Sequence, residues 1–114
     1  MKSNNKMSHL ISLHDAQKLT ENFRAENEVK SPIGGMFEKE SVLAVLNQPE
    51  CVAMRYYFGI DDNNKKVLII VGVDLQGNDM IDGIIIEKAF PCPPYCGDIN
   101  SINRDLIENK RIAV

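Results

Sequence analysis

The first half of the chain carries two stretches of apolar residues at helical spacing. The first follows Ser12, a favourable helix N-cap with an acidic residue three positions later, and predicts a helix over residues 12–27. Its repeating apolar residues are Ala16, Leu19 and Phe23. A breaker segment at residues 30–35 separates it from the second stretch. That stretch predicts a short helix over residues 38–47, which must end before Pro49.

From position 51 onward the apolar residues alternate with other residues at a period of two, which is typical of β-strands. Residues 51–60 predict a strand that is buried on its apolar face and partly polar on the other. Residues 65–74 are nearly all apolar, so this second strand is expected to be covered on both faces. Residues 81–90 predict a third strand. Short segments rich in Asp, Asn and Gly separate the strands and predict an antiparallel meander.

The order of these elements predicts the fold class. After the third strand, apolar residues spaced three and four apart predict a short C-terminal helix over residues 100–108. We therefore expect a single α+β domain over residues 1–114, with residues 1–10 flexible. Its predicted order is ααβββα: two N-terminal helices, a three-stranded antiparallel meander and a short C-terminal helix.

Composition and charge exclude several classes of protein. The 13 Lys and Arg residues against 16 Asp and Glu residues give a net charge of −3. A broadly basic nucleic-acid binder is therefore excluded, and we expect no nucleic-acid partner. No run of about 20 apolar residues could span a membrane, and the polar first residues lack the apolar stretch of a secretory signal. We expect a cytoplasmic protein with no membrane partner and no cofactor.

The predicted second strand needs more cover than a three-stranded monomer offers. Two helices can cover one face of the sheet, but the short C-terminal helix can cover only part of the other. The apolar residues that need this cover are Tyr57, Leu68, Ile70, Ile84 and Ile86. Since a large exposed apolar patch marks an interface, we expect a C2 homodimer, formed by packing of sheet faces or by pairing of strand edges. The alternative is a monomer in which residues 28–37 fold over the second face.

A proline-rich loop with the sequence Pro-Cys-Pro-Pro-Tyr-Cys-Gly follows the third strand. One interpretation is a rigid corner in which Cys92 and Cys96 are small buried residues. A second is thiol redox chemistry, but an extended chain would hold their Cα atoms about 12 Å apart, so only a tight turn brings the sulfurs together. A third is a zinc site with further ligands from Cys51, His9 and His14. The odd cysteine count argues against a disulfide scaffold.

Arg55 and Tyr57 lie two positions apart, on the more polar face of the first strand. An arginine beside an aromatic ring on a sheet face can bind an anion or a flat ligand. The alternative is a cross-strand ion pair of Arg55 with Asp82 or Glu87, or a contact across the dimer. The candidate binding residues of the chain are Arg55, Tyr57, Cys92, Tyr95 and Cys96.

Four segments of the chain carry a resemblance to other proteins. They are residues 51–59, 71–74, 77–79 and 91–97. Over about residues 10–107 the chain resembles a group of small uncharacterised proteins from Bacteroidetes-type bacteria. The resemblance implies a bacterial, intracellular setting, and it implies no catalytic residue, substrate or cofactor.

The sequence therefore predicts a binding or interaction module that acts as a homodimer and is not an enzyme. Its candidate surface combines the strand face around Arg55 and Tyr57 with the proline-rich loop. The sequence does not specify whether the ligand is a small molecule or a protein. The alternative function is a thiol-based site at Cys92 and Cys96, for zinc or for redox chemistry.

Overall fold

The computed structural model describes residues 8–26, 32–104, 106–107 and 110–111. These residues fall into two compact units, one within Lys30–Cys96 and the other drawn from Met1–Val29 and Gly97–Val114. Across the described ranges, no helix is both long enough and apolar enough to cross a membrane.

The unit drawn from both ends of the chain contains the first predicted helix. This helix, α1, spans Leu13–Glu26. Its first turn is capped as the sequence predicts, because the backbone N–H of Asp15 donates to Ser12 Oγ at 3.0 Å. In its last turn the Arg24 guanidinium donates to the backbone carbonyl oxygen of Ile102. The prediction of this helix is confirmed to within one residue at each end.

The Lys30–Cys96 unit, as far as it is described, contains one helix and two small antiparallel sheets. Its elements are β1 (Gly34–Met36), α2 (Lys39–Leu46), β2 (Cys51–Ile60), β3 (Lys66–Asp74), β4 (Ile85–Ile86) and β5 (Phe90–Cys92). One sheet has the order β2-β3-β4, and the other pairs β1 with β5. The predicted second helix and the first two predicted strands are confirmed to within one residue at each end.

The hairpin of β2 and β3 forms because its turn is satisfied locally. Asp61 Oδ1 accepts the backbone N–H groups of Asn63 and Lys65, each at 2.9 Å, which is the usual role of aspartate in a turn. The strands then pair without interruption over residues 53–60 of β2. A bulge lies just before Ala53, so the regular part of the ladder ends there.

The predicted third strand over residues 81–90 is wrong, and so is the meander. Within residues 81–90, only β4 pairs with β3. Strand β5 pairs instead with β1, which begins in the predicted breaker segment. The chain leaves the sheet for two local reasons. The Gly83 N–H closes a turn with the Met80 carbonyl oxygen at 3.0 Å, and Lys88 takes a left-handed φ of 59°, which a continuous strand excludes.

The predicted C-terminal helix over residues 100–108 is also wrong, and with it the order ααβββα. Asn100 Oδ1 accepts the backbone N–H groups of Ile102 and Asn103, at 2.9 and 3.0 Å. Asparagine side chains that bond the nearby backbone compete with a helix, so the chain forms a turn over residues 101–104 instead. The remaining described elements, which pair antiparallel, are β6 (Leu106–Ile107) and β7 (Lys110–Arg111). The fold is α+β, with both helices preceding the long strands.

The core of the Lys30–Cys96 unit lies between α2 and the three-stranded sheet. Val45 of α2 is completely buried (0% exposed). Gln48 joins helix to sheet, because its side-chain amide donates to the Val45 carbonyl oxygen and its Oε1 accepts the Ile84 N–H, both at 2.8 Å. Strand β3 is predicted to be buried on both faces. Residues 70–73 are buried, as predicted, whereas residues 67–69 are only half-buried. The hairpin end of the sheet is therefore the less covered end.

Candidate functional site

Arg55, Tyr57 and Asp79 form a polar cluster on one face of the three-stranded sheet. Arg55 Nη1 lies 2.5 Å from Asp79 Oδ1, and the Tyr57 hydroxyl donates to Asp79 Oδ2 at 2.6 Å. Arg55 also donates to the backbone carbonyl oxygen of Gly77 at 3.3 Å. Each oxygen of the Asp79 carboxylate therefore contacts one of the two candidate residues of this face, Arg55 or Tyr57.

Strand pairing explains why these side chains meet. Arg55 and Tyr57 are two residues apart on β2, so they point to the same face. The bridge between Val73 and Asp79 places the carboxylate beside β3, on the side away from β2. Cross-strand neighbours share a face, so the arginine and tyrosine side chains reach the carboxylate by crossing β3. Val71, which pairs with Arg55, is 4% exposed beneath them.

The three groups shift one another's pKa in the direction that favours their contact. The hydrogen bond from Tyr57, assisted by that from Arg55, holds the pKa of the Asp79 carboxyl below its usual range. The bond to Asp79 in turn raises the pKa of Tyr57 and the pKa of Arg55. The carboxylate stays ionised, the phenol neutral and the guanidinium charged. Because the arginine charge is matched within the sheet, the interpretation of this face as an anion site loses support.

The acidic partner of the arginine is neither Asp82 nor Glu87, the two residues considered from the sequence. It is Asp79, although the sequence contains a signal for it. Asp74 Oδ1 accepts the backbone N–H of Asn78 at 3.0 Å, the behaviour expected of an aspartate that begins a tight turn. A turn closed at Asn78 places the following residue beside β3 and on the same face as the arginine.

Changing the pH is expected to weaken this cluster at both ends of the scale. Because the folded-state pKa of Asp79 is lowered, its stabilising contribution is full above the ordinary carboxyl pKa of about 4 and is lost as the pH falls through the folded value. Because the pKa of Tyr57 is raised, its contribution is full below about pH 10 and is lost as the pH rises through the folded value.

Thermal unfolding of the wild type and of Tyr57→Phe between about pH 3 and about pH 11 checks this expectation. The difference between their Tm values should be largest near neutral pH and should shrink in acid and in alkali. Asp79→Asn is the matched control for the acid limb, because it removes the titrating group. A difference that stays constant over the whole range would contradict the role given to this cluster.

The proline-rich loop, residues 91–97, turns tightly. Cys92 and Cys96 form a disulfide, with their Cα atoms 4.6 Å apart, so the loop does not follow the extended path. The backbone N–H of Tyr95 donates to the carbonyl oxygen of the first proline at 2.8 Å, and the peptide bonds before the second and third prolines are cis. Cys92 is buried, whereas the exposed ring of Tyr95 packs edge-on against Phe90 with a centroid distance of 5.6 Å.

The disulfide changes the metal hypothesis. It uses two of the three cysteines and leaves Cys51 as the free thiol. Zinc binds thiolates, and sulfurs joined to each other are not thiolates. Within the described ranges, no three His, Cys, Asp or Glu side chains come together in a group that could hold a metal ion.

A shallow cleft of about 460 Å³ opens between β1, the start of α2 and the β4–β5 segment. Its charged lining residues are Glu38, Glu87 and Lys88, and the others are mostly apolar. Because both signs of charge line an open surface, the cleft selects no class of ligand.

Strand β2 carries an exposed apolar surface, so the prediction that its apolar face is buried is wrong. Its alternating side chains on one face are Met54 (42% exposed), Tyr56 (55%), Phe58 (81%) and Ile60 (70%). The rings of Tyr56 and Phe58 contact each other edge-on, with centroids 5.5 Å apart. Among the residues that the structure describes, β3 is the only strand paired with β2, so the opposite edge of β2 is open. We call these side chains and this edge the β2 surface.

The structure places the five candidate binding residues in two groups. Arg55 and Tyr57 lie on the three-stranded sheet, whereas Cys92, Tyr95 and Cys96 lie in or next to β5 of the other sheet. The sequence pattern indicated both groups, but it did not single out the β2 surface. The alternation of β2 contains that signal, because one face of the strand is apolar at every second position.

Comparisons of the chain with protein-family models, with curated proteins and with solved structures find no match. The resemblance to small bacterial proteins therefore stays a prediction.

Proposed function

We propose that the protein is a binding module that acts as a homodimer through the sheet that contains β2. The exposed β2 surface is the observation that carries this proposal. Each square ångström of apolar area left in water forgoes about 25 cal/mol, and soluble monomers rarely expose a contiguous apolar patch of this kind. A second copy contacts both patches at once, because a twofold interface uses the same surface on each subunit.

The polar cluster on the same sheet supports binding rather than catalysis. Arg55 and Tyr57 both donate hydrogen bonds to the Asp79 carboxylate. A carboxylate whose pKa is lowered is a weak general base near neutral pH, since efficient bases have a pKa near the working pH. The cluster is better suited to hold the β2–β3 face rigid than to exchange protons with a substrate.

Sedimentation equilibrium of the purified protein tests the homodimer. At about 10 µM, a concentration that populates a dimer of micromolar or tighter Kd, we expect twice the chain mass of 12.8 kDa. The association should change little with added salt, because the contact is apolar. A protein that remains at the single-chain mass at this concentration contradicts the proposal.

A thiol-based redox site is the second candidate function, and the Cys92–Cys96 disulfide favours it. In a cytoplasmic setting, which the sequence predicts, disulfides are rare and are usually transient, catalytic or sensing. A dithiol reductant would break the S–S bond and release two thiols, while the reductant itself becomes a disulfide. The closure of the proline-rich loop would then report the redox state of its surroundings.

Thiol titration in denaturant tests the pairing of the cysteines. Protein purified without reductant is expected to show one reactive thiol per chain, that of Cys51, and three after treatment with a dithiol. The Cys51→Ser control should show none before reduction and two after it. The redox candidate further requires that the dithiol reduces the folded protein, so a bond that opens only in denaturant excludes it.

A further inference from the structure

We propose that the two copies join edge to edge, β2 against β2, in one continuous antiparallel sheet whose twofold axis passes at Tyr57. This inference rests on the proposed homodimer and specifies its interface. It selects strand pairing over the packing of sheet faces, and it defines which residues of the two copies lie opposite each other.

The open edge of β2 presents its hydrogen-bonding groups at defined positions. In an antiparallel ladder, alternate residues bond to the neighbouring strand, and the others point their N–H and C=O groups away from it. The Asp61 N–H donates to the Lys65 carbonyl oxygen at 2.9 Å, which assigns the odd-numbered residues of β2 to bonds with β3. The outward-pointing residues of the regular ladder are therefore Met54, Tyr56, Phe58 and Ile60.

A hydrogen bond on the other side of β3 supports this assignment. Gly72 pairs with Met54 across the two strands. Its carbonyl oxygen accepts the Met80 N–H at 2.9 Å, so it points away from β2, as an even-numbered position should. The same alternation therefore holds on both sides of β3. The residues of β2 whose backbone groups point outward are the same residues whose apolar side chains are exposed.

Apart from Arg55, whose charge is matched by Asp79, the β2 edge lacks the features that usually prevent strand pairing. Natural edge strands are short or carry proline, lysine or bulges that disfavour another strand. Strand β2 is 10 residues long, contains neither proline nor lysine, and has its bulge only at the start, before Ala53. A partner that satisfies the outward N–H and C=O groups must itself be an extended strand. The apolar face requires that this strand be apolar at every second position, and β2 itself has that pattern.

The twofold axis at Tyr57 uses every outward residue of the regular ladder. It places Met54 opposite Ile60 of the second copy and Tyr56 opposite Phe58 of the second copy, and each pairing occurs twice. The result is four pairs with two backbone hydrogen bonds each. Moving the axis to Tyr56 reduces the number of such pairs to three, and moving it to Arg55 reduces it to two. The axis at Tyr57 also places the aromatic rings of the two copies side by side, a favourable cross-strand pairing.

Charge favours the same register. Arg55 is the only charged residue in the sequence of β2. An axis at Arg55 would place two guanidinium groups opposite each other, which is destabilising. With the axis at Tyr57, the arginine lies opposite Gly59 of the second copy, and Asp61 of the second copy follows at the next position on that face. Like charges are separated, and opposite charges become neighbours.

Amide hydrogen exchange of the wild-type protein, followed residue by residue by NMR, tests the edge pairing. The odd-numbered amides of β2 bond to β3 in every arrangement and serve as the internal control. The amides of Met54, Tyr56, Phe58 and Ile60 are expected to exchange at least about 100-fold more slowly in the dimer than after dilution to monomer. A dimer in which only the odd-numbered amides are protected overturns the edge pairing and leaves the homodimer intact. A monomer at every concentration overturns both.

Pulsed electron-spin distance measurement tests the register. A nitroxide at Asn63→Cys, in a Cys51→Ser background and without reductant, labels the hairpin turn of each copy. Six residues separate this position from the axis, so at about 3.4 Å per residue the two labels should lie about 41 Å apart. Moving the axis by one residue changes this distance by about 7 Å. A dimer with a distance near 34 or 48 Å therefore has another register and overturns the axis at Tyr57.

Discussion

Val45→Ala is expected to lower the free energy of unfolding by about 2–3 kcal/mol. Val45 is the only residue of α2 that is buried, and its side chain is completely enclosed between the helix and the sheet. The substitution removes two carbon atoms from this site, and the surrounding backbone cannot collapse to fill the space because Gln48 holds the end of α2 to Ile84. Urea unfolding at one fixed protein concentration measures the loss.

Val42→Ala is the matched control, since it makes the same chemical change one turn earlier in the same helix. Val42 is half-buried, so its truncation removes less buried area and leaves a space that water can fill. We expect a loss of about 1 kcal/mol or less at this position. Equal losses at the two positions would show that the core does not lie where the structure places it.

Phe58→Asp is expected to raise the dimer dissociation constant at least about 100-fold, which corresponds to about 3 kcal/mol. Phe58 is 81% exposed in the single chain, so the substitution removes little packing within a subunit. In the dimer, this position forms backbone hydrogen bonds with Tyr56 of the second copy, and the two aromatic rings lie side by side. An aspartate there would remove the ring contact and place a residue disfavoured in strands at the paired edge, and the twofold axis repeats that cost.

Leu75→Asp is the matched control for this substitution. Leu75 is 78% exposed and lies in the turn after β3, away from the β2 edge. It introduces the same charge at a similarly exposed apolar position, so it should leave the dissociation constant nearly unchanged. Sedimentation equilibrium of both variants, with circular dichroism to verify folding, makes the comparison. If both variants dissociate the dimer equally, net charge rather than the β2 surface controls association.

The parts of the fold that the sequence predicts well are those with local causes. The helix α1 follows from its apolar spacing and from the Ser12 cap, and the hairpin follows from two alternating runs joined by a turn that Asp61 satisfies. In each case the residues that determine the structure lie within the element or directly beside it. Boundaries predicted from such signals are correct to within one residue.

The errors arise where one backbone conformation or a distant partner decides the structure. Residues 81–90 have strand-like composition, but the left-handed conformation of Lys88 has no signature in a lysine side chain. Strand β1 contains two glycines and forms only because β5 pairs with it. At the C-terminal end, the side chain of Asn100 bonds the backbone, and it overrides the helical spacing of the apolar residues that follow.

The candidate site was predictable in part. The sequence indicates that Arg55 and Tyr57 share a face, but the identity of their partner depends on where the turn after β3 closes. The expectation of a homodimer came from the apolar composition of β3. In the structure, the exposed apolar surface lies on β2, whereas Ile70, Val71 and Val73 of β3 are buried.

The two edges of the three-stranded sheet differ greatly in length. Strand β4 has two residues, after which the chain leaves the sheet. So short an edge exposes too few N–H and C=O groups to recruit another strand. Within the described sheet, a dimer joined at β2 therefore has no long edge left from which a fibril could grow. In the proposed dimer, growth ends at two subunits, and pairing of the two β2 edges removes the aggregation hazard of an apolar edge strand.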